Sequence, residues 1–409
     1  MKTKVFYAAG PGAVIDTYRF WKQGLDDPLE TSVCYSTMFF EVCQKLGLEG
    51  YVVSSHQRRE LLHDGPFVVE HRPPPRWATS GLSFHVGEIV YALSLFMTAW
   101  RFGAKVAVIA DLHHWYAWSF GPLFGIQIVP TLHCAFWPPG FPDRSWKTRV
   151  MKRLNSWFWR FIPRRTICIS PEVRRQLGEL AGAVACSHAV QARPHYRLGV
   201  FDSVPKASRS MEPFRIMYAG RIERNKGVFD VVNIANKLKS LGTGNTDFVF
   251  EICGSGSAEE ELRNDVRDRG LAKEVLILGK LDRGAMLEAF GRNHVVIVPT
   301  TASFAEGLNK VAVEAILSGR PCIISRVLSV GEVLGDAVIE VPTGDIDAYV
   351  AAIKRLHNDP EKYTRLEVAC QRFQEQFYDA EVSWGRVLER VLRELLSASS
   401  NDGVAVQGL

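Results

Sequence analysis

The chain has 409 residues, 47% hydrophobic, 23% charged and 11% aromatic, with a formal charge of +5. A length and balance of this kind give two or three globular domains with ample core, and exclude a disordered chain, a fibrous repeat, a disulfide miniprotein and a polytopic membrane protein. The charge is uneven: residues 1–205 carry 23 basic and 15 acidic side chains, the remainder 26 and 29, so the first half is +8 and the second −3.

Short β-rich runs alternate with helical patterns throughout, which predicts an α/β protein with parallel sheets. In the first half, strands are expected at 4–8, 51–54, 105–110, 127–131 and 166–170, and helices at 36–46 and 86–102. Residues 203–213, polar with two prolines, read as a linker. The alternation then restarts, with strands at 214–219, 247–253, 275–278, 294–299 and 322–325. Helices are expected at 228–241, 259–269, 285–290 and 309–317. Each βα unit takes about 25–30 residues. Two Rossmann-like domains facing across a cleft follow, at 1–205 and 206–377, then a closing helix within 378–400 and a loose tail at 401–409. The eight cysteines lack zinc-ligand spacing and read as buried free thiols in a reducing compartment. The N-terminus reads as a strand without a signal peptide's apolar region, and the most apolar stretch, 89–100, is too short to span a bilayer. The expected location is the cytoplasm, the alternative being peripheral attachment to the inner face of the cell membrane.

Two Gly-x-Gly turns follow strands, Gly10-Pro11-Gly12 and Gly254-Ser255-Gly256. Ile15 and Glu259 occupy the third glycine position of the dinucleotide fingerprint, which disfavours a nicotinamide enzyme. Glycines there admit a ligand close to the backbone, and an ordinary βα turn explains them as well. The segment Gly220-Arg221-Ile222-Glu223-Arg224-Asn225-Lys226-Gly227 leaves a strand and enters a helix. Arg221 and Lys226 beside a helix start suit a diphosphate, the alternative being a solvated basic turn. A third segment runs from Phe304 through Glu306, Gly307, Leu308 and Asn309 to Glu314. Its two glutamates, about 12 Å apart along a helix, can hold two hydroxylated parts of one extended ligand. They are too far apart for a glycosidase pair, and the structural alternative has Glu306 capping the helix and Glu314 in a salt bridge.

The Glu306/Glu314 E-x7-E pair, the GR-x4-KG turn and the paired Rossmann pattern together resemble the GT-B glycosyltransferases, and within them the retaining, nucleotide-sugar-dependent family 4. The resemblance is strongest over 214–360 and weaker over the first half, where Gly10, Gly12 and Thr131-Leu132-His133 fall where that family puts them. It implies that Arg221 and Lys226 bind the donor diphosphate and stabilise the leaving group. Glu306 would contact the transferred sugar, amides of Gly307, Leu308 and Asn309 would hold the phosphates, and Glu314 would take the ribose hydroxyls. Gly12 would leave room for the donor, and His133 would sit at the sugar's reacting face. The closing helix would cross back onto the first domain. The loop at 299–306 is a few residues longer than the common form, Leu308 and Asn309 replace an aromatic and a glycine, and Ala192-Arg193-Pro194-His195-Tyr196 stands in place of the usual Asn-Gly pair.

The expected reaction moves a sugar from a nucleoside-diphosphate sugar to a glycan or lipid-linked acceptor, with retention and without a metal or other cofactor, in cell-surface polysaccharide or glycolipid synthesis. Alternatives are a sugar-nucleotide epimerase or small-glycoside synthase on the same fold, and a non-catalytic nucleotide-sugar-binding subunit. Asp345-Ile346-Asp347, formally a metal-binding D-x-D, opens a helix and reads as a cap. His113-His114 offers no third metal ligand. The aromatic and basic segments contain no nucleic-acid motif. Acceptor contacts are expected from Asp16, Tyr18 and Arg19. Residues 144–165 hold eight basic and no acidic side chains, with Val150, Leu154, Trp157, Phe158 and Phe161 at helical spacing. Such a helix suits an anionic membrane surface, or a core with its charges solvated.

Overall fold

The computed structural model describes residues 2–75, 77, 81–110, 112–142, 146–206, 212–241 and 247–405. The first half is built on an eight-stranded sheet in the order β3-β4-β2-β1-β5-β6-β7-β8. Its strands are β1 (Lys4–Ala8), β2 (Glu49–Ser54), β3 (Glu60–Asp64), β4 (Phe67–His71), β5 (Val106–Ala110), β6 (Gln127–Leu132), β7 (Thr166–Cys168) and β8 (Ala189–Gln191). Among the described residues, only the β3–β4 hairpin pairs antiparallel in this sheet. The central strands β1 and β5 are buried and apolar, as a sheet covered on both faces requires.

One face of this sheet packs on α1 (Val14–Lys22), α2 (Tyr35–Leu46) and the closing helix. The other is covered by α3 (Gly81–Phe102), the 3-10 turn Trp115–Trp118, α4 (Trp146–Phe161), α5 (Pro171–Ala181) and the short α6 (Ala183–Ser187). Helix α3 begins five residues before the predicted start at 86 and, at 22 residues, is long and apolar enough to cross a bilayer. Its Tyr91, Leu95, Phe96 and Ala99 nevertheless pack into the sheet-covering core.

The second half is a six-stranded parallel sheet in the order β11-β10-β9-β12-β13-β14. Its strands are β9 (Phe214–Ala219), β10 (Phe248–Cys253), β11 (Val275–Gly279), β12 (Val295–Val298), β13 (Cys322–Ser325) and β14 (Val338–Val341). This is the doubly wound order, with its reversal between β9 and β12; ligands bind outside the strand ends at such a point. Helices α7 (Val228–Leu241), α8 (Glu259–Asp268) and α12 (Ile346–Asn358) cover one face. Helices α9 (Arg283–Arg292), α10 (Lys310–Leu317) and α11 (Val330–Leu334) cover the other, and α13 (Pro360–Tyr378) joins the two, with Tyr363 and Leu366 in the core on the first face and Ala369, Cys370 and Phe377 in that on the second. Asp345 caps α12 by accepting from the Ala348 N–H at 2.9 Å, which accounts for the D-x-D run.

The chain then returns to the first half. In α14 (Trp384–Ala405), Trp384, Val387, Leu388 and Val391 enter the core beneath the first sheet. Trp384 donates its indole N–H to Thr131 at 2.8 Å, and Lys45 pairs with Glu389 at 2.9 Å. Residues 401–405 continue this helix instead of forming a loose tail; 406–409 lie outside the described residues, as does 207–211 of the expected linker.

Candidate active site

Strand β9 ends at Ala219, and the chain turns through Gly220 into a loop anchored by the fully buried Ile222. Ile222 donates its N–H to Ser255 O at 3.0 Å and its carbonyl accepts from Ala258 N at 3.1 Å. This locks the GR-x4-KG loop to the turn after β10. A methyl group on Gly254 would overlap the Gly220 carbonyl, and one on Gly256 the Ile222 carbonyl, so both glycines are needed for two loops to touch. Arg224–Lys226 form a 3-10 turn, and Gly227, with φ of +74°, lies against the Pro299 carbonyl at the end of β12.

That contact brings Lys226 to the loop after β12. Its ammonium forms an ion pair with Glu306 and lies 3.7 Å from the Phe304 ring centroid. The Arg221 guanidinium lies 5.6 Å from the same ring and pairs with Glu223 at 3.0 Å. Glu306 also accepts from Asn309 Nδ2 at 2.9 Å and Thr300 Oγ1 at 3.3 Å. It does not cap the helix: Asn309 does, accepting from Ala312 N at 2.9 Å. Leu308 is buried in the core next to it, and also reaches the cavity wall.

Arg221, Lys226, Thr300, Glu306, Leu308 and Asn309 line a cavity of about 510 Å³ outside the β9 and β12 ends. Glu314, on α10, lines it too. Its carboxylate accepts from Thr31 Oγ1 at 2.6 Å and Tyr196 Oη at 3.3 Å, both from the first half. Burial pushes the Glu314 carboxyl up to about 7, opposed by the nearby Lys310 and reinforced by Glu30. A carboxyl raised in the folded state contributes stability that is full below the ordinary carboxylate range and lost as pH rises through 7. Wild type is therefore expected to lose about 1–3 kcal/mol between about pH 5 and about pH 8, and Glu314→Gln to remove that loss, read from denaturant unfolding across the range.

Sequence reasoning missed the part of the wall that comes from residues 26–32 of the first half. Arg283, at the start of α9, donates to the carbonyls of Glu30 (2.7 Å) and Asp27 (2.9 Å), and its N–H to Pro28 O (2.7 Å). Lys310 reaches Glu30 and Ser32 at 2.8 and 3.0 Å. The segment is thus strapped to the second half, and its Leu29, Glu30 and Thr31 form part of the cavity wall. Its polar, loop-like sequence carries no pattern that assigns it a partner; only the tertiary fold does. The contact of Lys226 with the Phe304 ring, likewise, is made by the tertiary fold.

The other candidate residues separate. Gly12 has open space around it, with nothing within 4 Å of where a Cβ would stand, but it lies outside the cavity lining. The His133 carbonyl abuts Gly307, while its ring sits against Tyr35 at 4.2 Å and beside Thr131 Oγ1 at 3.1 Å. Tyr18 is corrected outright: it is 3% exposed, packed edge-on against Phe40 and Phe67, and belongs to the core. Asp16 and Arg19 stand on the surface in an ion-pair chain with Arg58 and Glu60, away from this cavity. Among the described residues, no cluster of three His, Cys, Asp or Glu side chains could hold a metal.

Residues 201–372 match the family model of glycosyl transferases group 1. Over 172 residues the chain is 28% identical to glycogen synthase of Mycobacterium tuberculosis, covering 40% of this chain and 39% of that one. It is 28% identical over 283 residues to 2-deoxystreptamine N-acetyl-D-glucosaminyltransferase of Streptomyces fradiae, 65% of each chain. The chain thus spans about two fifths of the glycogen synthase it matches. Among solved structures, trehalose 6-phosphate synthase of Burkholderia multivorans superposes with a TM-score of 0.72 at 12% identity, over 98% of this chain and 100% of that one. HepE of Anabaena, solved with UDP and glucose, superposes with a TM-score of 0.65 at 13% identity, over 97% and 100%. Residues 201–372 are thus similar to glycosyl transferases group 1, and the chain as a whole has the GT-B fold.

Proposed function

We propose that this chain is a retaining glycosyltransferase that moves a hexosyl group from a nucleoside-diphosphate sugar to a glycan or lipid-linked acceptor. The observation that carries the reading is the Lys226–Glu306 pair, with Lys226 over the Phe304 ring, in the cavity at the strand-order reversal. Donor binding would fall to residues 206–377 and acceptor binding to 1–205. Lys226 and Arg221 would meet the diphosphate, with amides of Gly307, Leu308 and Asn309 adding donors at the start of α10. Glu306, freed from Lys226 by the incoming phosphate, would hold the transferred sugar, and Glu314 would exchange Thr31 for ribose hydroxyls. His133 would border the reacting face.

In the transfer step, the bond from the sugar's anomeric carbon to the diphosphate oxygen breaks. A new bond forms to the acceptor oxygen on the same face, and the leaving phosphate takes the acceptor's proton. Negative charge grows on the diphosphate as that bond breaks, so two fixed cations stabilise the transition state more than the bound donor. This assigns to Lys226 and Arg221 the neutralisation that a metal ion would otherwise supply, and no cofactor enters the scheme. HepE, with its bound UDP and glucose, supports a UDP-type donor by likeness of fold. The setting we propose is cell-surface polysaccharide or glycolipid synthesis at the cytoplasmic face of the membrane, reached through residues 144–165.

Incubation with UDP-, GDP-, ADP- and TDP-linked sugars tests the reading. Transfer with an unchanged anomeric configuration is expected, and donor conversion without any acceptor would instead identify an epimerase.

A further inference from the structure

Helix α3 presents two opposite faces. Leu82, Val86, Val90, Leu93, Met97 and Trp100 recur at spacings of three and four and are all exposed, Leu82 by 79%. They form an apolar stripe about 27 Å long, opposite the face that packs on the first sheet. The one carboxylate on this helix, Glu88, lies off the stripe and pairs with His113 at 3.1 Å. The stripe continues onto the turn that follows: Phe124 lies 5.9 Å from Trp100, and Leu123 beside it is 81% exposed.

Helix α4 repeats the design. Phe158, stacked on Trp115, and Trp159, tilted against it, anchor the helix in the core, so Phe158 does not share the exposed face of the other apolar residues at its spacing. Val150, Leu154, Trp157 and Phe161 are exposed, Phe161 by 68%. Arg149 and Arg153 flank this second stripe on one side, together with Arg160, which also donates to the Ala181 carbonyl at 2.9 Å, and the helix carries no acidic residue. Arg144 lies outside the described residues. Helices α3 and α4 cover the same face of the first sheet, with Trp115–Trp118 between them, so both stripes look outward on one side of the molecule.

We infer that this α3–α4 layer is a docking surface for an anionic lipid bilayer, with both helices lying in the interface plane. Apolar side chains beside arginines are what a headgroup boundary accepts: the rings and aliphatic groups enter the acyl edge while the guanidinium groups meet lipid phosphates. A second copy of the chain is the poorer occupant, because a two-fold pairing through this face would set the α4 arginines of both copies against each other. The inference extends the membrane reading from the basic helix to α3, whose stripe holds no cation along its length. It is independent of the transfer reaction, since vesicle binding is read without donor.

The test is flotation of the full chain with phosphatidylcholine vesicles containing about 30 mol% phosphatidylglycerol at about 0.1 M salt. Wild type is expected to float. Val86→Glu/Leu93→Glu on α3 is expected to lose at least about tenfold in binding, as is Trp157→Ser/Phe161→Ser on α4. Unchanged melting temperatures verify that both variants fold, as substitutions at exposed positions should. Wild type remaining with the protein fraction, or the α3 variant floating like wild type, would overturn the inference. A wild-type dimer that the α3 variant dissociates, without flotation, would overturn it in favour of self-association.

Discussion

Lys226→Ala is expected to reduce kcat/KM for transfer by about 10²–10³, the loss typical of removing one donor aimed at developing charge. The geometry sets the direction. Lys226 is only 12% exposed along its side chain, lies over Phe304, and is held by Glu306, itself fixed by Asn309 and Thr300. Its position is therefore largely set before any ligand arrives, and donor binding need only exchange Glu306 for phosphate on its ammonium. Arg221, at 58% exposure, is held less firmly, so Arg221→Ala should cost less. Steady-state kinetics with the preferred donor separate the cases. Because the alanine variant strands the Glu306 carboxylate in a half-closed site, Lys226→Ala/Glu306→Gln should recover stability but not activity. Activity near wild type in both variants would remove these residues from the mechanism.

Gly307→Ala is expected to be nearly as damaging, for a different reason. A methyl group there would overlap the His133 carbonyl and crowd Ile169, both in the first half of the chain. The peptide cannot retreat easily, since the Gly307 carbonyl accepts from Ser329 at 2.6 Å on the other side. The substitution must therefore separate the two halves at the site, where displacements of about 1 Å cost about a hundredfold in rate. Overpacking adds about 1–3 kcal/mol of destabilisation. Paired thermal melts and kinetics check both. Gly12→Ala, with no neighbour within 4 Å, is the matched control and should leave the melt unchanged.

Much of this was legible in the sequence. The strands at 4–8, 214–219 and 322–325 and the helix at 228–241 coincide with the structure to the residue, because buried parallel strands and amphipathic helices write their period into the chain. The β3–β4 hairpin was not read, since β3 is half exposed and lies between polar residues. The start of α3 was placed too late because Gly81, Ser83 and His85 interrupt the apolar run, although the helix continues through them.

At the site, Arg221, Lys226, Glu306 and Glu314 were named from local motifs, and the fold brings all four to one cavity. Tyr18 failed because one aromatic residue on α1 reads the same whether it faces a ligand or Phe40 and Phe67. The strap at 26–32 was invisible because its bonds to Arg283, Lys310 and Glu314 span more than 250 residues of chain. The two opposed faces of α4 could be listed from the sequence, but which one meets the sheet is decided by Trp115, Phe158 and Trp159 packing together.

The central claim is that Lys226 and its neighbours hold a nucleoside diphosphate. Calorimetric titration of wild type and Lys226→Ala with UDP, GDP, ADP and TDP tests it most directly. Saturable binding of at least one of the four by wild type, weakened at least about tenfold in Lys226→Ala, is the predicted result. No binding of any of them, or equal affinity in the two proteins, would contradict the account.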